Sequence, residues 1–186
     1  MEYACDDYLR ELLDRYKANF DITENFTLGD KVYPAYARFF SFGEKYVLKK
    51  EAQLWAIKAY EHVLFIKTKS INDNFIEDMR KTFVEQMEPT LILHGEKYPE
   101  KDHMCSYMTI VVISENTPSE DILKKLKKLS YDRGYLFNLR GHCEARIALA
   151  CIDSQAVFTN RNGKELKPLL TNIFNSLKRD KEEKVS

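Results

Sequence analysis

His103-Met104-Cys105 and His142-Cys143 place four potential metal ligands in two close pairs, and a set of two histidines and two cysteines suits tetrahedral zinc. The first pair lies in a polar stretch, Gly95 to Ser106, that also carries Glu96, Glu100 and Asp102. The second follows Gly141. Structural zinc motifs separate their cysteines by two to four residues, and neither pair does so. An adjacent His-Cys pair in a strand also aims its side chains to opposite faces. The expectation is no metal site and no cofactor, with His103, Cys105, His142 and Cys143 as the candidates to watch.

Nucleophilic chemistry at sulfur needs a cation or a helix N-terminus beside the thiolate. Cys143, close to His142 and Arg140, is the cysteine with basic neighbours; Cys5 and Cys151 sit in apolar patterns and read as core. The six glycines are scattered, without Gly-x-Gly or Gly-Lys-Ser/Thr strings. Gly-x-Ser-x-Gly, His-Glu-x-x-His and Cys-x-x-Cys are absent too. An enzyme or nucleic-acid-processing site would therefore be noncontiguous. Its residues would come from His94 to Cys105 and from Arg140, His142 and Glu144, and its segments must converge, with His103 and His142 within roughly 15 Å of each other.

Lys124-Lys125-Leu126-Lys127-Lys128 is the densest positive run. Glu120 and Asp121 stand four residues before Lys124 and Lys125, a spacing worth about 0.2–0.5 kcal/mol per pair on a helix. With no aromatic residue interleaved, the run reads as a solvated face, and nucleic acid is not expected as a partner. Aromatic residues are instead concentrated between Tyr33 and Phe65. Phe39 alternates with Phe40 and Phe42, so both faces of a sheet there should be covered. Phe40, Phe42, Tyr46, Trp55 and Tyr60 are the candidate interface residues, since Tyr and Trp commonly anchor interfaces and pockets.

The elements that must hold these residues follow from periodicity. Cys5, Leu9, Leu12, Leu13, Tyr16 and Phe20 form the apolar stripe of a first helix. Residues 21–34 read as a connection lying against the body. Strand signals fill 36–68, with turns expected at Gly43-Glu44-Lys45 and Tyr60-Glu61-His62. Ser70 with Asp73 is expected to cap a helix carrying Ile71, Phe75, Ile76, Met79, Phe83 and Met87, which should stop at Pro89. Ile110 to Ile113 reads as a strand buried on both faces. Thr117-Pro118-Ser119-Glu120 should open a helix that ends near Gly134. Strands are expected at 135–139, 144–152 and 155–160, then a turn at Asn162-Gly163 and a last helix with Leu166, Leu170, Ile173 and Leu177.

The order is α-βββ-α-β-α-βββ-α, an α+β domain with helices packed on a mixed, largely antiparallel sheet and one parallel crossover between Ile113 and Tyr135. A shift of about 93 positions lays Ala52, Leu54, Ala56, Val63 and Phe65 on Ala145, Ile147, Leu149, Ala156 and Phe158, the mark of a βββα duplication. Over residues 3–114 the element order resembles that of restriction-endonuclease-like folds. That resemblance implies an acidic residue and a carboxylate-x-lysine string holding Mg²⁺ and the attacking water. Glu51-Ala52-Gln53 and Glu144-Ala145-Arg146 are the nearest strings. Both lack the lysine, and no aspartate precedes them at the required strand position, so the likeness stops short of the chemistry.

With 186 residues, 44% hydrophobic and 31% charged, net charge zero and pI near 6.9, one domain over residues 1–180 is expected, followed by a frayed tail at 181–186. No apolar run approaches the roughly 18 residues of a membrane span. The acidic N-terminus lacks a signal-peptide layout. Four cysteines without a secretory signal favour reduced thiols and a cytoplasmic location. Missing catalytic motifs beside an aromatic surplus point to a non-enzymatic interaction or regulatory domain, binding a protein partner or itself as a homodimer. The alternatives are the noncontiguous enzyme and a small-ligand sensor lined by the aromatic meander.

Overall fold

The computed structural model describes residues 2–45 and 55–183, with side chains described over 4–41 and 58–179. Thirteen segments follow one another: α1 (Glu2–Tyr16), β1 (Asp21–Leu28), β2 (Lys31–Lys45), β3 (Trp55–Thr68), α2 (Asp73–Lys81), a π-helical continuation (Thr82–Ile92), β4 (His103–Ser114), α3 (Glu120–Lys128), β5 (Asp132–Gly134), β6 (His142–Cys151), β7 (Ala156–Thr159), a 3₁₀ turn (Lys164–Leu166) and α4 (Lys167–Glu183). The expected α-βββ-α-β-α-βββ-α order and α+β class hold. The seven strands form one sheet ordered β1-β2-β3-β4-β6-β5, with β7 on β6 beyond β5. Four pairings are antiparallel, and β4 runs parallel to both β3 and β6. There are thus two parallel crossovers, one through α2 and one through α3.

Both faces of the sheet are covered. On one, Tyr8, Leu12 and Tyr16 of α1 and Leu170 and Ile173 of α4 close over Ala35, Val63, Phe65, Val111 and Ala148. On the other, Met79, Phe83, Met87 and Leu126 close over Leu64, Ile110, Val112, Ile147 and Leu149. A strand flanked by parallel neighbours and capped on both sides must be apolar throughout, which is why Ile110-Val111-Val112-Ile113 is fully buried. Each such side chain contributes about 1.5–3 kcal/mol on burial. The helices that end the two βββα units of the expected duplication close on opposite faces, α2 on one and α4 on the other; Ala52 and Leu54 of that comparison lie outside the described residues. Among the described residues no helix is long and apolar enough to cross a membrane.

Several expected boundaries are corrected. Residues 21–34 are not a connection: β1 pairs with β2 from Asp21↔Arg38 to Leu28↔Lys31. Tyr60-Glu61-His62 is not a turn but mid-strand, with Tyr60 opposite Phe40 and His62 opposite Arg38. Lys45 pairs with Trp55, so Gly43-Glu44-Lys45 lies within β2; the strand expected at Tyr46 and Leu48 falls outside the described residues. Asn72, not Ser70, caps α2 by accepting from Phe75 N. Ser119, not Thr117, caps α3; the Thr117 hydroxyl instead donates to Asp153. Residues 136–140 are a turn, and the third strand of the second half is β5, which contains Gly134.

Pro89 does not stop the helix after α2. It has no N–H to give to an α ladder, but the chain is already in π geometry from Thr82, carries Pro89 inside that segment and continues to Ile92. The Leu93 N–H closes the segment on the Glu88 carbonyl (3.0 Å), a five-residue step. This segment brings Thr90, Leu91 and Ile92 beside Tyr36, His62 and Ser106.

Candidate functional site

Alternation on the paired strands puts Tyr36, Arg38 and Phe40 of β2 beside His62 and Tyr60 of β3, with Arg38↔His62 and Phe40↔Tyr60 in direct register. The rings form a near-parallel series: Phe26 on Tyr36 (4.2 Å between centroids), Tyr36 toward His62 (6.1 Å), His62 toward Tyr60 (6.1 Å) and Tyr60 on Phe40 (4.9 Å). On β4 a bulge interrupts the ladder: Lys58 pairs with His103 but Ala59 pairs with Cys105, leaving Met104 as an extra residue. Bulges re-aim side chains. This one puts the His103 ring within 2.8 Å of the Ser106 hydroxyl and 6.4 Å of the Tyr60 ring, extending the series.

The π-helical segment supplies the opposite wall through Thr90, Leu91 and Ile92, followed by His94. The result is a groove of about 290 Å³ lined by Tyr36, Arg38, Tyr60, His62, His94 and His103, with Ser106 at its floor. Three of the four histidines in the chain converge there. It opens at the N-terminal ends of the parallel strands, opposite to where ligands usually sit on open parallel sheets.

Burial sets the charges. Desolvation pulls His62 down to about 3, helped by the Arg38 guanidinium and the other imidazoles. Tyr36 is pushed up to about 12, so it keeps its proton, and its hydroxyl shares a hydrogen bond with His62 Nδ1 (2.6 Å). Desolvation also lowers His103, against the pull of the Arg140 carbonyl and Glu100. Since that carbonyl accepts from His103 Nδ1 (2.9 Å), the neutral ring leaves Nε2 to accept from Ser106. At the rim, burial opposes the charge of Glu100, but Lys58 and Tyr60 donate to it and hold its carboxyl below the usual range. Arg38 has no carboxylate partner among the described residues and lies 5.7 Å from the Tyr60 ring.

Beside the groove stands an apolar knob. Leu136, Phe137 and Asn138 are three consecutive residues with φ of 48°, 52° and 66°, a left-handed turn that asparagine tolerates but that costs the leucine and the phenylalanine about 1–2 kcal/mol each. Hydrogen bonds close it, Leu139 N to Leu136 O and Arg140 N to Tyr135 O. Its apolar side chains face water: Phe137 is 99% and Leu139 84% exposed, next to half-exposed Met104. Gly141 ends the turn so close to β4 that a Cβ would lie 2.3 Å from the Met104 carbonyl. From behind, Glu88 is 1% exposed and accepts from Tyr135 (2.8 Å), Arg133 (3.0 Å) and Tyr131. The turn thus hangs between a buried carboxylate and His103.

The expected site residues are divided by this geometry. His103 and Arg140 meet only through the Arg140 backbone carbonyl. His142, paired with Cys105, points to the face opposite Cys143. Both nitrogens of His103 are occupied and Cys143 lies 3.0 Å from the Tyr135 hydroxyl, so the four zinc candidates do not converge. Among the described residues no group of three His, Cys, Asp or Glu could hold a metal ion. All four cysteines are free and buried; burial pushes Cys143 up to about 12, which opposes a thiolate nucleophile. Of the interface candidates, Phe40 and Tyr60 line up at the groove, while Phe42, Tyr46 and Trp55 fall outside the described side chains. On the opposite face Glu144 pairs with Arg146 (3.1 Å), which stacks 3.4 Å over Tyr107. Glu61 there accepts from Thr109, and burial raises its carboxyl.

Tyr36, Arg38, His62 and Ser106 were not foreseen. The signal was present in the two-residue spacing of Tyr36-Arg38-Phe40 and Tyr60-His62, which becomes visible once both segments are read as strands. No curated protein and no solved structure matches the chain. A family model does match, over residues 5–172, and the chain belongs to that family, the domain of unknown function DUF8052.

Proposed function

We propose that this chain is a protein-interaction module that holds an extended segment of a partner across the knob and into the groove. Support comes above all from juxtaposition: an apolar turn kept exposed at a conformational cost adjoins a concave row of aromatic and imidazole rings containing an uncompensated arginine. Exposed aromatic anchors beside a pocket are the usual layout of a binding hot spot. The segment it suits carries an aromatic or branched apolar side chain for the groove and a nearby carboxylate for Arg38. Panning a displayed peptide library on the folded protein tests this. Enriched peptides should share that pattern and lose at least tenfold affinity for Arg38→Ala and for Phe137→Ser; peptides indifferent to both substitutions would refute it. A second copy as partner would register as a dimer in light scattering.

One observation favours a second reading. Ser106 donates to His103 Nε2 while the Arg140 carbonyl fixes Nδ1, the relation of a hydroxyl nucleophile to an oriented base. Ser106 is fully buried, however, which opposes attack on a substrate. A fluorophosphonate probe that labels the protein at Ser106 would favour hydrolysis; no labelling would leave the pair as the groove's polar floor.

A further inference from the structure

α3 and the turn after β7 bring together cations from two distant parts of the chain. Lys124, Lys127 and Lys128 face Arg161 and Lys164 across a cleft of about 510 Å³, with Thr159 and Asn160 at its base and, among the described residues, no acidic residue in its lining. Lys124 is paired with Asp121, and Lys125 turns away to Asp73. Among the described residues Lys127, Lys128, Arg161 and Lys164 make no ion pair. Lysines in the last turn of α3 complement the helix dipole, but that accounts for neither Arg161 nor Lys164, which belong to another segment.

The cleft is also rigidly built. Asn160 is fully buried and uses its whole amide: Oδ1 accepts from Ile147 N (2.9 Å) and Gly163 N (2.9 Å), while Nδ2 donates to Leu129 O (3.0 Å) and Ala145 O (3.1 Å). One side chain therefore ties the end of α3, the middle of β6 and the turn bearing Arg161. Gly163 is required for this approach, since a Cβ would meet the Ile147 carbonyl at 2.4 Å. Fixing like charges around one concavity is unfavourable unless an anion occupies it.

We propose that this cleft binds an oligophosphate, free or as the tail of a nucleotide, independently of the groove. Arginine grips phosphate oxygens in pairs and lysine supplies point charge. A nucleic-acid strand is disfavoured because it needs aromatic platforms for its bases, and none of the described residues lining the cleft is aromatic.

Titration calorimetry with sodium tripolyphosphate and with ATP, at low and high salt, tests the assignment. Both should bind, more weakly as salt screens the cations, and Lys128→Ala/Arg161→Ala should weaken binding at least tenfold. An exposed control pair, Lys17→Ala/Lys81→Ala, should leave it unchanged. Equal affinity for the two ligands identifies the free oligophosphate; ATP binding at least tenfold tighter identifies the nucleotide. The proposal fails if neither binds, if the double variant binds like wild type while melting at the same temperature, or if a single-stranded oligonucleotide binds and tripolyphosphate does not displace it.

Discussion

The Tyr36 hydroxyl lies 2.6 Å from Nδ1 of His62 inside the groove, and the imidazole it meets is held down to about 3 from an ordinary 6.5. Between those two values the unfolded chain takes up a proton that the folded chain refuses. Stability therefore rises with pH across this window, is fully present above about 6.5, and is lost as the pH falls toward 3. His103, lowered for the same reason, adds to the slope. Melting temperature should be highest near neutrality and decline below pH 6, and His62→Gln should flatten that decline. A variant with the wild-type acid slope would show that His62 is not the source.

The proposed role of the knob sets stability against binding. Relieving the left-handed strain at Phe137 with Phe137→Gly should stabilise the fold by about 1 kcal/mol, because glycine meets no steric cost there. For a chain of this size that is about 2–4 °C in Tm. The same change removes the exposed ring and should weaken peptide binding at least tenfold. Scanning calorimetry reads the first effect and titration the second; a lower Tm would mean the turn is not strained.

Glu88 needs its donors. Tyr135→Phe withdraws the 2.8 Å hydrogen bond from a carboxylate with almost no access to water, at a cost of about 1–3 kcal/mol. Urea denaturation should show a lower midpoint with unchanged slope. Arg38→Ala, on the exposed rim, should stay within about 0.5 kcal/mol of wild type. Equal stability for the two variants would contradict the support role given to Glu88.

Gly141→Ala should cost more than its single methyl implies. Its φ is 74° and the Cβ would lie 2.3 Å from the Met104 carbonyl and 2.6 Å from that of His103. A loss of about 2–3 kcal/mol is expected, together with weaker peptide binding, because Arg140 and the His103 ring it orients must shift. A variant matching wild type in both denaturation and titration would mean the turn does not press on β4.

Element order was legible because long-period features dominate it. The Leu9-Leu12-Leu13-Tyr16 stripe and the Ile110–Ile113 run admit few structures besides the ones they form. Local detail failed where backbone geometry departs from rule. Pro89 reads as a terminus because propensity is written for α-helices, and a π turn absorbs the missing N–H. Tyr60-Glu61-His62 is polar enough to pass for a turn, yet it is the strand segment that furnishes the groove. His103 and Arg140 could be named from sequence because both sit in polar stretches flanking strands. The Met104 bulge that aims His103 at Ser106 leaves no mark in composition. Nor does spacing reveal that Asn160 would bring Arg161 up to the α3 lysines.

The proposed peptide site is the groove, and the distribution of histidines offers a direct reading of its occupancy. His62, His94 and His103 line the groove, while His142 lies on the opposite face of the sheet. Side-chain imidazole resonances recorded while a selected peptide is titrated to saturation should move for the first three and stay fixed for His142. Movement of His142 with the other three unchanged would place the ligand elsewhere and contradict the account.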